Sequence, residues 1–292
     1  MSNINFNGEI TFDDQLLLND FIRGFKYGDG VFETIRIVNG IPIFFDGHYK
    51  RLMAGLKVLM FDIPEHFTKD YFLNQIQLLL VCNKVKRGGK VRLAVFRSGG
   101  GSYKPEINLP LFIIEANQLS SNEYFINEKG LTVDIFSDIQ KHKSVLSSLK
   151  TSNSLEYVVA SVYADKNNLD DCLMVNSKGN IIESTNSNIF IVSNKVLYTP
   201  PISEGCVGGV TRMNLINLLV KNKVVVYESN LNAQHLLSAD EILLTNTING
   251  ISWVSSFKNK RYFNKIGKKL IADLNNEIFN CQEDLKGSLK LP

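Results

Sequence analysis

The sequence predicts a two-domain α/β (α+β) protein. A smaller N-terminal α/β domain spans residues 1–116, a polar linker 117–122, and a larger C-terminal domain 123–292 with a mixed, barrel-like sheet. Three observations carry this expectation. The chain has 292 residues, enough for two domains of ordinary size. Its first third alternates β-rich runs with two stretches of helical periodicity, the mark of helices packed on an antiparallel sheet. Beyond residue 123, short β-rich runs recur between Gly and Asn turns, with helical stretches among them.

Residues 4–12 alternate apolar and polar side chains around Asn7-Gly8 and read as a small hairpin. Residues 24–29 read as a loop. Two β-rich runs, 31–38 and 41–45, flank Asn39-Gly40, the strongest short hairpin signal. From about Asp46 a helix is set by Tyr49, Leu52, Met53, Leu56 and Leu59, and 67–84 is a second. Strands follow at 89–96 and 109–116. Residues 117–122 are polar and lack periodicity, which makes them the linker. The second domain contributes strands at 131–136, 171–176, 181–183, 189–192, 196–198, 224–228 and 241–245. Its helices are expected at about 153–166, 210–221 and 233–238.

A net charge of +3 is too weak to argue for nucleic acid or an anionic membrane surface. The four cysteines are widely spread, without CxxC or a histidine pairing that suggests zinc, so no metal is expected and free thiols fit a cytoplasmic protein. The N-terminus has no basic segment leading into an apolar run, and no apolar stretch is long enough to span a membrane.

One lysine, Lys150, sits among Ser, Thr and Asn just before an apolar run. It is either a solvated loop cation or an amine held beside apolar walls, where burial lowers its pKa and makes it nucleophilic. Four further segments use residue types that bind an anion or a charged ring. Gly208-Gly209-Val210-Thr211 leads into a helix, a phosphate cradle or an ordinary capped start. Thr245-Asn246-Thr247 after a strand offers hydroxyls and N–H groups to the same anion, or forms a plain turn. Glu183, followed by small polar residues, is either a partner for a protonated ring nitrogen or a surface acid. Arg51 is a phosphate clamp or a surface arginine. A lysine, a carboxylate and three phosphate-binding elements together call for pyridoxal 5′-phosphate more than for any other cofactor.

The order of these segments resembles the class IV (fold type IV) pyridoxal-phosphate family. That family holds branched-chain and D-amino-acid aminotransferases and 4-amino-4-deoxychorismate lyase. The matching pieces are Tyr27 to Arg36, Arg51-Leu52, Leu149-Lys150-Thr151, Glu183 to Phe190, Gly209-Val210-Thr211-Arg212 and Thr245-Asn246-Thr247. The resemblance implies that Lys150 forms the Schiff base and shuttles the proton, and that Glu183 keeps the pyridine nitrogen protonated. It implies that Arg51, Val210, Thr211, Asn246 and Thr247 hold the phosphate, and that the enzyme is a homodimer. Four details lean to the lyase: Thr34 at the catalytic-threonine position, the Lys-x-x-Asn-x-Leu-Glu pattern from Lys150 to Glu156, Leu155 where branched-chain aminotransferases carry a tyrosine, and Thr245-Asn246 with Gly250-Ile251. One departs from it: Arg97-Ser98-Gly99-Gly100-Gly101-Ser102-Tyr103 lacks the family's second arginine. Arg97 is the candidate for the substrate carboxylate, with Tyr27, Thr34 and Tyr103 lining the pocket. The substrate is a small molecule bearing an amino group and a carboxylate. An amino-acid aminotransferase is the alternative, and a non-catalytic binding protein of the same fold a minor one.

Overall fold

The computed structural model describes residues 2–13 and 22–288. The chain divides into two compact units, Met1–Glu123 with Leu149–Ser154, and Tyr124–Ser148 with Leu155–Pro292.

The first unit is built on a six-stranded sheet. Its strands are β1 (Asn3–Phe6), β2 (Glu9–Phe12), β3 (Gly30–Val38), β4 (Ile41–Pro42), β5 (Gly89–Arg97) and β6 (Pro110–Gln118). They lie in the order β2-β1-β6-β5-β3-β4, and every pairing is antiparallel. Among the described residues three α-helices accompany the sheet: α1 (Ile22–Tyr27), α2 (Phe45–Val58) and α3 (Lys69–Cys82). Asn39 and Gly40 both take positive φ, which is what a two-residue hairpin turn demands. The second arm of that hairpin is shorter than expected, because Phe44 also takes a positive φ and turns the chain into α2. The start of α3 is fixed by Thr68, whose hydroxyl accepts the Tyr71 N–H. Inward side chains of β3, β5 and β6 (Val31, Ile35, Val91, Leu93, Phe112, Ile114) close a core with Leu52, Leu56, Phe72 and Ile76 from α2 and α3. A Cβ on Gly55 would come within 3.1 Å of Val31, so glycine lets α2 settle close on β3. Residues 24–29, expected as a loop, are helical through Tyr27; Gly24 packs against the Phe96 ring, where a Cβ would stand 2.5 Å from it.

In the second unit the strands are β7 (Leu131–Lys141), β8 (Asp171–Asn176), β9 (Ile181–Ser184), β10 (Asn188–Ser193), β11 (Val196–Thr199), β12 (Val226–Glu228), β13 (Glu241–Asn246), β14 (Gly250–Phe257) and β15 (Lys260–Arg261). Pairing runs β10-β13-β14-β7-β8-β9 and returns from β9 to β10, so the sheet closes on itself. The sheet is mixed, since β14–β7 and β7–β8 are parallel. The unit's helices are α4 (Leu155–Lys166), α5 (Val210–Lys221), α6 (Ala233–Ser238) and α7 (Lys265–Ser288). Strands β14 and β15 and helix α7 go beyond the elements expected from the sequence. β7 also runs further than expected, past a register shift between Phe136 and Gln140. Among the described residues no helix is long and apolar enough to cross a membrane.

Candidate active site

Within the first unit, Lys150 lies on a short stretch bonded to the free edge of β3. The Phe32 N–H donates to the Lys150 carbonyl at 2.9 Å, and the Ser152 N–H donates to the Gly30 carbonyl at 2.9 Å. Lys150 is half-buried, and its Nζ stands 4.5 Å from the centre of the Phe32 ring. The Arg92 guanidinium lies over the same ring at 3.8 Å. Arg92 is the direct cross-strand partner of Thr34, and Phe32 and Thr34 share one face of β3. An amine, a hydroxyl and a guanidinium are therefore gathered on one face. Burial lowers the pKa of Arg92, against the opposing pull of Glu115.

The other face of β3 turns Glu33 under α2. Both Glu33 carboxylate oxygens accept from Arg51, at 2.8 and 2.5 Å, and Oε2 also meets His48 Nδ1 at 2.7 Å. Arg51, expected on a phosphate, thus already holds a bidentate carboxylate. Burial alone would raise the pKa of Glu33; the Arg51 charge and the bonds from Arg51 and His48 outweigh it and bring it to about 2. Burial lowers the pKa of His48, and its Nε2 is buried with no hydrogen-bond partner.

Arg97, expected to meet a substrate carboxylate, is placed otherwise. It is 6% exposed, with Nε on Asp29, Nη1 on Asn108 Oδ1 at 2.9 Å, Nη2 on the Leu59 carbonyl, and its plane over Phe61. It braces the fold of this corner. Where the loop lacks a second arginine of its own, Arg23 from α1 supplies one: it pairs with Asp29 and donates to the Gly100 and Ser102 carbonyls. Tyr103 is exposed, its ring 5.6 Å from that of half-buried Tyr27.

Within the second unit, Glu183 is the penultimate residue of β9 and is 3% exposed. Its Oε1 accepts from Lys141 Nζ at 2.6 Å and from the Tyr157 hydroxyl at 2.8 Å; its Oε2 accepts from the Val207 N–H at 2.8 Å. Lys141 is itself buried, and its other donors go to the Ser147 carbonyl and the Tyr157 oxygen. Burial and the Glu183 carboxylate push the Tyr157 phenol up, so it remains a donor. Burial, with the same carboxylate, pushes the Cys206 thiol up to about 11, which keeps it protonated and inert.

The start of α5 has the features of an anion cradle. Gly209 is its N-cap with no side-chain bond to the helix, and Val210 and Thr211 open the first turn. A Cβ on Gly209 would meet Asn188 Oδ1 at 1.9 Å, so only glycine fits. Thr211 Oγ1 and Thr247 Oγ1 stand 3.4 Å apart. Asn246 shapes the Thr247 turn by accepting the Ile248 and Asn249 N–H groups and donating to Ser187. The structure thus gathers Thr211, Thr247 and Asn246 about the head of α5. Lys141, Tyr157, Glu33, His48 and Arg92 had no role in the sequence-based expectations. Their partners are remote in the chain: Lys141 and Glu183 are 42 residues apart, and no local pattern announces such a pair.

A family model described as amino-transferase class IV matches residues 30–257. A Methanocaldococcus jannaschii protein named as a branched-chain-amino-acid aminotransferase is 31% identical over 247 residues, which covers 84% of each chain. The aminodeoxychorismate lyase of Bacillus subtilis is 26% identical, across 91% of this chain and 90% of its own. Among solved structures, the branched-chain aminotransferase of Thermoproteus uzoniensis shares the fold, with a TM-score of 0.85 over 94% of this chain and 93% of that one at 21% identity.

Proposed function

The chain belongs to the amino-transferase class IV family, and from that membership we propose that it is a 4-amino-4-deoxychorismate lyase-like enzyme, releasing pyruvate to give 4-aminobenzoate for folate synthesis. It is a pyridoxal-phosphate-dependent enzyme of fold type IV. The residues fit that cofactor. The head of α5 has no side-chain cap and carries a hydroxyl pair suited to a phosphate, and Glu183 is a buried carboxylate suited to a protonated ring nitrogen. When bound, the cofactor supplies an electron sink for the carbon that bears the substrate's amino group.

In this proposal Lys150 is the amine that holds the cofactor and then moves the proton. Val210, Thr211, Asn246 and Thr247 hold the phosphate, with Arg51. The observation that favours the lyase is the placement of Thr34: its hydroxyl shares a face of β3 with Phe32, over whose ring the Lys150 amine lies. A hydroxyl so placed can steady the oxygen through which the enolpyruvyl group leaves. Arg92, beside Thr34, is the guanidinium best placed for a substrate carboxylate. The 31% identity to the M. jannaschii protein favours a second reading, an aminotransferase for branched-chain or D-amino acids. The test is to supply aminodeoxychorismate and follow 4-aminobenzoate and pyruvate, with amino-acid donors and 2-oxoglutarate in parallel. Formation of both products supports the lyase; keto-acid turnover without aminobenzoate reverses the order.

We also propose that the enzyme is a homodimer. Helix α4 exposes Leu155, Val158, Val159 and Val162, an apolar stripe at helical spacing that an isolated monomer would leave in water.

A further inference from the structure

We propose that Lys141 is a positioning residue that holds Glu183 as a carboxylate with one open acceptor site, and so keeps the proton on the cofactor's ring nitrogen. This rests on Glu183 being the ring's partner. It goes beyond that assignment by naming what sets the charge of Glu183.

Counting donors and lone pairs carries the inference. An ammonium has three donors, and a carboxylate offers about four acceptor sites, two on each oxygen. Lys141 Nζ uses its donors on the Ser147 carbonyl, the Tyr157 oxygen and Glu183 Oε1. Glu183 Oε1 accepts twice, from Lys141 and from Tyr157. Glu183 Oε2 accepts once, from the Val207 N–H, which leaves one site for a further donor. A ring N–H is a donor of that kind.

Charge decides where the shared proton resides. Lys141 and Glu183 are both nearly fully buried, so their mutual attraction at 2.6 Å is weakly screened. Moving the ring's proton onto Glu183 would turn it neutral and leave Lys141 as an unpaired buried cation, which is costly. The ammonium is bonded to Oε1 whereas the open acceptor site is on Oε2, so a ring nitrogen held there would lie further from the cation than the carboxylate does. Lys141 therefore favours the proton on the ring. Tyr157 cannot replace it, because a neutral phenol donates a hydrogen bond without a charge. Each ammonium donor of Lys141 is matched to an acceptor, so the group serves as a fixed charge.

The experiment loads wild-type and variant enzymes with pyridoxal phosphate labelled with ¹⁵N in the ring, and reads the nitrogen chemical shift. Affinity of the apoenzymes for the cofactor is measured by titration. Wild type and Lys141→Arg should show a protonated nitrogen. Lys141→Met should move the shift toward neutral pyridine and weaken cofactor binding about tenfold, the scale of one charged hydrogen bond. Because removing the cation can impair folding, the double variant Lys141→Met/Glu183→Gln is compared with Glu183→Gln, where Lys141 should have almost no further effect on shift or affinity. A protonated nitrogen in Lys141→Met, with Glu183→Gln neutral, overturns the role of Lys141. An equal loss from Lys141→Met in both backgrounds does the same. A protonated nitrogen in Glu183→Gln instead overturns the assignment of Glu183 itself.

Discussion

At the scale of single residues, burial decides what each charged group can do. Lys150→Ala should keep the fold by circular dichroism, abolish turnover and eliminate the pyridoxyl mass that borohydride otherwise fixes to the peptide containing residue 150. Appreciable residual turnover would move the nucleophile elsewhere. Arg92→Ala should raise KM for a carboxylate substrate about tenfold or more while kcat changes less, the pattern of a lost binding contact; an unchanged KM would remove Arg92 from the pocket. The Glu33–His48–Arg51 cluster gives a pH prediction. Burial depresses the pKa of His48 below its ordinary 6.5, so as pH falls through that value the unfolded chain takes up a proton that the folded one refuses. Glu33 is held to about 2 against an ordinary 4.5, so its contribution is present above pH 4.5 and fades toward 2. Melting temperature should thus decline with acid in two stages. His48→Gln should flatten the upper stage relative to wild type, and an identical slope in both proteins would count against it.

At the scale of elements, what could be read from the chain is what local chemistry determines. The hairpin at Asn39-Gly40, the helix capped by Thr68 and most barrel strands follow from turn residues and periodicity. α1 does not, because a short helix containing Gly24 owes its place to the Phe96 ring rather than to propensity. α7 was legible in principle: Leu270, Ile271, Leu274 and Ile278 are buried at helical spacing. The same division holds for the site. Lys150, Glu183 and Thr211 stand in recognisable local patterns, whereas Lys141 reaches Glu183 only after the register shift in β7. Two predictions belong here. Gly209→Ala should weaken cofactor affinity and cost about 1–3 kcal/mol by overpacking against Asn188, measured by titration and chemical denaturation. Val158→Asp with Val162→Asp should shift the sedimentation coefficient from dimer to monomer; an unchanged value would place the subunit contact on another surface.

At the scale of the whole molecule, each unit has hydrophobic core clusters of its own, and the second adds a sheet closed on itself. Cofactor binding should raise the melting temperature of the enzyme in proportion to the logarithm of free pyridoxal phosphate, as mass action requires. The edge of β3 bonded to residues 150–152 has a temporal consequence. On the ribosome, that edge is exposed when residue 123 emerges and stays unmatched until residue 154 has followed. A gene fragment ending at residue 123 would consequently encode a sheet missing its last partner, and the amine with it.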